Sequence, residues 1–158
     1  MNAKMATLKR CFEQAGFDDV KTVLSSGNVA FTARGASGAT LERKAQAAIA
    51  KEIGRPFLTI VRPTSALQAL IEADPYASFR LPAKAKRVVT FLRRNPKVRP
   101  KLPIELEGAR ILAIEHGHVF TAYVPKARSA VFMRLIEQTF GKDVTTRTWE
   151  TVKRCAKA

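Results

Sequence analysis

The order in which helical stripes and strand-like alternations follow one another along these 158 residues is the feature that most constrains the fold. Met5, Leu8, Phe12 and Ala15 recur at steps of three and four, and Gly16 follows at once. That pattern is an amphipathic helix ended by a residue able to take the left-handed cap conformation. Lys21–Ser25 and Asn28–Thr32 alternate as strands around Ser26-Gly27, where Gly27 and Asn28 supply the backbone angles of a tight hairpin. After a small-residue loop, Leu41, Ala45, Ala48, Ile49 and Ile53 form a second stripe, with Thr40 the expected N-cap and Gly54 the stop. Phe57–Val61 is predicted to be a short apolar strand between Pro56 and Pro63. Thr64 is predicted to cap a helix carrying Leu67, Leu70 and Ile71, which the Asp74-Pro75 step ends.

A second unit begins after the loop 76–85. Val88–Leu92 is predicted as a strand flanked by basic residues, and 95–103, with three prolines, as an extended connector. Leu102–Leu106 is read as a short helical turn. Arg110–Glu115 and His118–Val124 are two strands joined at Gly117. Ser129 opens a helix with Phe132, Leu135, Ile136 and Phe140 inward and Gly141 at its end. Thr145–Arg147 is extended, and Thr148 caps a final helix from Trp149 to Cys155. Hairpin-linked strands with helices between them define an α+β class: two small subdomains, residues 1–76 and 77–158, with mixed or antiparallel sheets. The first would run β-α-β-β-α-β if it were ferredoxin-like, and its first strand is missing. That would leave an open sheet edge, and a protein-interaction module that self-associates there is the third reading of the chain, after the two given below.

Charge is distributed unevenly. The chain holds 28 Lys plus Arg against 13 Asp plus Glu, a net charge of +15. Nine of the basic residues lie between Arg80 and Lys101, a stretch with no acid. Such a block repels itself unless an anion is near. No apolar run reaches the roughly 18 residues of a membrane span. Two cysteines, Cys11 and Cys155, are too few for a disulfide scaffold, so a cytoplasmic setting is expected.

Several short motifs carry a family likeness. Lys4-Met5 with Leu8, Ala15-Gly16-Phe17, the turn Ser25-Ser26-Gly27-Asn28-Val29-Ala30-Phe31, Arg128-Ser129 and the ending Thr145-Thr146-Arg147-Thr148-Trp149 together resemble the bacterial domain-of-unknown-function family 1697. The resemblance spans essentially the whole chain. It implies an α+β fold of two subdomains and no particular activity. The family's opening strand with its glycine-rich loop has no counterpart before Met1. Ala130 stands where the family has a basic residue, and Thr148 and Glu150 replace its asparagines around the tryptophan.

No phosphate-loop, dinucleotide, paired-cysteine zinc or metalloprotease motif is present, so no catalytic residue, metal or cofactor is assigned. His116 and His118, two apart, can share a strand face, but a third ligand is lacking. Trp149 reads as a core anchor. The leading expectation is a non-enzymatic module that binds nucleic-acid backbone or another polyanion through Arg87, Arg93, Arg94, Lys97, Arg99, Lys126, Arg128, Ser129 and Arg147. The alternative is an enzyme or binding protein for a small phosphorylated or carboxylated ligand at the Arg128/Ser129/Arg147 corner, where a helix N-terminus attracts anions. Its structural counterpart is Ser129 as a plain N-cap. Ser26, Gly27 and Asn28 form either a simple turn or a ligand-facing one.

Overall fold

The computed structural model describes residues 4–25, 27–94, 96, 100–125 and 130–158. Two compact units emerge, Met1–Ala69 with Lys153–Ala158, and Leu70–Val152. The elements run α1 (Met5–Gln14), β1 (Asp18–Val23), β2 (Asn28–Thr32), α2 (Gly38–Ile53), α3 (Thr64–Ala73) and a 3-10 turn, Pro75–Ser78. They continue with β3 (Lys86–Leu92), β4 (Ile104–Leu106), β5 (Ala109–Glu115), β6 (His118–Tyr123), α4 (Val131–Phe140), β7 (Val144–Thr148) and α5 (Trp149–Lys157).

The first unit is built on the expected stripes. Leu8, Cys11 and Phe12 of α1 and Ala45 and Ile49 of α2 are buried with Phe17 and Val20. Phe12, Phe17 and Phe31 gather with ring centroids 4.5–5.5 Å apart, in tilted pairs of the kind aromatic quadrupoles favour. Strands β1 and β2 pair antiparallel, closing at Val23 opposite Asn28. Helix α2 starts earlier than the sequence suggested. Its N-cap is Ser37, whose Oγ accepts the Thr40 N–H at 3.2 Å, so Thr40 sits inside the first turn. A serine three residues before an amide with no intrahelical acceptor satisfies that donor directly, which is why the helix begins there. Gly54 ends it in the left-handed conformation (φ 85°).

Phe57–Val61, expected as a strand, takes no regular secondary structure. The segment joins no sheet among the described residues. Side chains of α2 take the place of a neighbouring strand: Gln46 Oε1 accepts the Thr59 N–H at 3.0 Å, and Glu42 Oε1 accepts the Val61 N–H at 2.9 Å. Residues four apart lie one above the other on a helix, and so match alternate amides of an extended chain.

The second unit is a five-stranded antiparallel sheet in the order β4-β5-β6-β3-β7. Two-residue turns, Glu107-Gly108 and His116-Gly117, join its meander, and all four residues have positive φ (47°, 88°, 50° and 79°). Such primed turns match the right-handed twist of the strands they connect. Leu102–Leu106, expected as a helical turn, instead contributes β4, because Ile104-Glu105-Leu106 pairs with Ala109-Arg110-Ile111 across the Glu107-Gly108 turn. Strands β3 and β6 are the centre of the sheet and are buried on both faces. On one face Leu92, Ile111 and Val119 meet Leu135 and Ile136 of α4. On the other, Tyr76 lies edge-on to Phe120 and Trp149, at 6.0 and 5.3 Å between centroids. Helix α4 has Ala130 as its N-cap residue, with no side-chain cap.

Candidate functional site

The cations of the second unit are positioned by strand β3. Its interior, Val88–Leu92, is buried, while Lys86 and Arg87 open it and Arg93 and Arg94 follow it. An extended chain advances about 3.3 Å per residue, so Arg87 and Arg93 lie roughly 20 Å apart at opposite ends of one strand. The expected group is therefore divided between two places.

At the opening end, sheet register assembles cations that are far apart in sequence. Arg87 stands opposite Ala122, and Ala122 opposite Arg110. Residues directly opposite share a face, so Arg87 and Arg110 point the same way with the small Ala122 between them. Arg147 stands opposite Val89 on β7, on that same face and diagonal to Arg87. Tyr76 covers Arg87: the Arg87 guanidinium sits 5.9 Å from its ring centroid, within the range of a cation–π contact. The Tyr76 hydroxyl approaches the carbonyl oxygens of Val88 and Thr121 at 2.8 and 3.0 Å, and burial pushes its ionisation far above the ordinary tyrosine range. Arg110 donates to the Arg80 carbonyl at 2.9 Å, which ties the basic loop before β3 to the sheet, and lies 3.8 Å from Glu105.

Arg147 is committed to its own strand. Its guanidinium donates to Thr145 Oγ1 and to the Thr146 carbonyl, both at 2.7 Å. Thr148 caps α5 as expected, its Oγ1 accepting the Thr151 N–H at 3.3 Å. At the far end of β3, Arg93 and Arg94 line a shallow pocket of about 290 Å³ with Leu92, Pro96, Phe140 and Asp143. Asp143 brings an acidic group to that end. Lys97, Arg99, Lys126, Arg128, Ser129 and Ser26 lie outside the described residues.

The remaining candidates have structural employment. Asn28 donates from Nδ2 to the Val23 carbonyl at 3.1 Å and so closes the hairpin, while Gly27 takes φ 87°. His116 is exposed on a turn and His118 is buried edge-on to Phe91, so the two histidines do not face one another's surroundings. No group of three metal-ligating side chains occurs among the described residues. Trp149 is 4% exposed, a core residue. Arg110 and Tyr76 were not singled out by the sequence. Their role depends on cross-strand register and on a turn folding back over the sheet, and neither leaves a local signature.

The fold of this α+β chain is similar to that of the conserved bacterial protein SP0830 from Streptococcus pneumoniae. The likeness covers 99% of this chain and 88% of that one, at a TM-score of 0.72 and 19% identity. Residues 1–120 match the family described as protein of unknown function (DUF1697), and the chain belongs to that family. Among curated proteins none matches it. Among the described residues no helix is long and apolar enough to cross a membrane.

Proposed function

We propose that the protein is a cytoplasmic, non-enzymatic module that binds polyanions, nucleic-acid backbone foremost, through the second unit. The observation that carries this reading is the state of its cations. Arg80, Lys84, Lys86, Arg87 and Arg94 are all exposed, and none forms an ion pair among the described residues. Unpaired cations at this density leave a local field that a row of phosphates neutralises with release of condensed counterions. The 20 Å interval along β3 suits a backbone, on which charges repeat every ~3.4 Å per strand. Buried Trp149 and Tyr76 offer no stacking platform, so the mode is charge neutralisation without base readout.

The test is fluorescence anisotropy with duplex DNA, single-stranded DNA and RNA of equal length across a salt series. Five phosphate contacts predict a log–log slope of about −4.5, hence a loss of roughly 500-fold in affinity between 50 and 200 mM salt. Replacing Arg80, Lys84, Lys86 and Arg87 together by Ala flattens that slope by about 3.6. Absence of binding at the lowest salt, or an unchanged slope in the quadruple variant, refutes the proposal.

A further inference from the structure

Three of the cations that carry the polyanion reading, Arg80, Lys84 and Lys86, stand in or beside the loop 80–85, and that loop has little to hold it. Arg80, Pro82, Ala83 and Lys84 are exposed, and Leu81 and Ala85 are half-buried. Within the loop the Ala85 N–H donates to the Pro82 carbonyl at 3.0 Å and closes a four-residue turn. Both ends are fixed. Before it, the buried Tyr76 hydroxyl reaches the Val88 and Thr121 carbonyls, and after it Lys86 enters the sheet opposite Tyr123. Between those ends, one hydrogen bond among the described residues joins the loop to the sheet. It is the one that Arg110 Nη1 donates to the Arg80 carbonyl at 2.9 Å.

The surroundings of Arg110 suit it to hold a carbonyl rather than to meet an anion. It stands on β5 with Glu105 of β4 directly opposite on one side and the small Ala122 of β6 on the other. Its side chain is only 25% exposed, its Nε is closed off from solvent, and Glu105 Oε2 lies 3.8 Å from that nitrogen. The carboxylate offsets the positive charge, so Arg110 shares a face with Arg87 at little cost in repulsion. A guanidinium can do both jobs at once, because its planar fork turns one N–H to the carbonyl while another faces the carboxylate.

We propose that Arg110 is a positioning residue for polyanion binding: it holds the loop 80–85 against the sheet, and so presents Arg80, Lys84 and Lys86 in one arrangement before a phosphate arrives. This role rests on the polyanion reading of the second unit. Cations fixed in advance need no ordering when they bind, and a loop that is competent only part of the time weakens apparent affinity by that fraction. Ordering the backbone of a single residue at the moment of binding costs about tenfold in affinity. The tether is not itself a phosphate contact, so its loss lowers affinity by the same factor at every salt concentration.

The test uses the full chain and one labelled duplex DNA across a salt series. Glu105→Gln combined with Arg110→Met removes one charge of each sign, which keeps the net charge and takes away the tether. Affinity in this double variant is roughly tenfold weaker at each salt concentration, with the log–log slope of the unsubstituted protein. Glu105→Gln alone keeps the tether and binds at least as tightly as the unsubstituted protein. The heteronuclear NOE of the Ala83 and Lys84 amides, recorded without DNA, falls in the double variant only. If the unsubstituted protein fails to bind DNA, the polyanion reading falls and this role with it. If it binds, equal affinity of the double variant or unchanged NOE values overturn the positioning role alone. A slope shallower by about 0.9 in the double variant also overturns it, since Arg110 would then contact a phosphate itself. So does a loss in Glu105→Gln as large as that in the double variant, which would make the carboxylate and not the tether the group that matters.

Discussion

Replacing Tyr76 by Phe removes one buried hydroxyl and keeps the ring that meets Phe120, Trp149 and the Arg87 guanidinium. A phenol has one proton to donate, shared here between the Val88 and Thr121 carbonyls, and Val88 O also accepts from Thr121 Oγ1. One net hydrogen bond is lost, worth about 1 kcal/mol, or roughly 2–4 °C in Tm for a chain of this size. The alkaline limb separates this effect from general loosening. The hydroxyl ionises near pH 10 in the unfolded chain, and burial raises that value in the folded one. Stability is therefore intact below pH 10 and declines above it, by up to about 1.4 kcal/mol per pH unit, because the unfolded state releases the proton first. The variant has no such loss. Its deficit at pH 8 shrinks above pH 10 and changes sign near about pH 10.6, where ionising the unfolded phenol offsets about 1 kcal/mol. Urea titrations of both proteins at intervals from pH 8 to 11.5 measure the crossing. Parallel stability curves over that range would refute the account of a buried, hydrogen-bonded phenol.

Two substitutions elsewhere test the framework. Glu42→Gln keeps an acceptor for the Val61 N–H but removes the charge beside Arg62, which is only 18% exposed and 4.0 Å away. An expected loss of about 2 kcal/mol with an unchanged urea m-value follows from leaving that guanidinium buried beside a neutral group. His116→Asn places the preferred residue of a primed turn at φ 50°, on a side chain that is 87% exposed. It raises stability by about 0.5 kcal/mol, read as an upward shift of Tm, and a decrease would contradict the turn assignment.

The elements that could be read from the chain are those whose signal is local. The stripes of α1, α2 and α4, the glycine stops at Gly54 and Gly141, and the Thr148 cap all depend on neighbours within one or two turns. The misreadings share a cause. Ile104–Leu106 is a strand because of what lies opposite it, and three residues of alternation are too few to announce that. Thr40 looked like a cap because the competing Ser37 stands before a glycine and an alanine that say little about where a helix begins. Phe57–Val61 has the composition of a strand, and its partners turned out to be two side chains of a helix. For the basic surface, the sequence revealed the charge but not its grouping. Arg87 and Arg110 are 23 residues apart, and only the shared partner Ala122 places them on one face.

The second unit also sets two very different distances between paired residues. Strands β4, β5 and β6 close over two-residue turns, whereas Leu92 must find Val144, 52 positions along the chain. Loop closure costs more entropy as the loop lengthens, and contacts distant in sequence slow a search that local ones hardly tax. The meander is thus the natural early structure and the β7 edge the late one. Strengthening the His116-Gly117 turn should then quicken refolding, while damage to β7 should chiefly hasten unfolding. Stopped-flow chevrons of one variant at each place would show the two limbs moving separately.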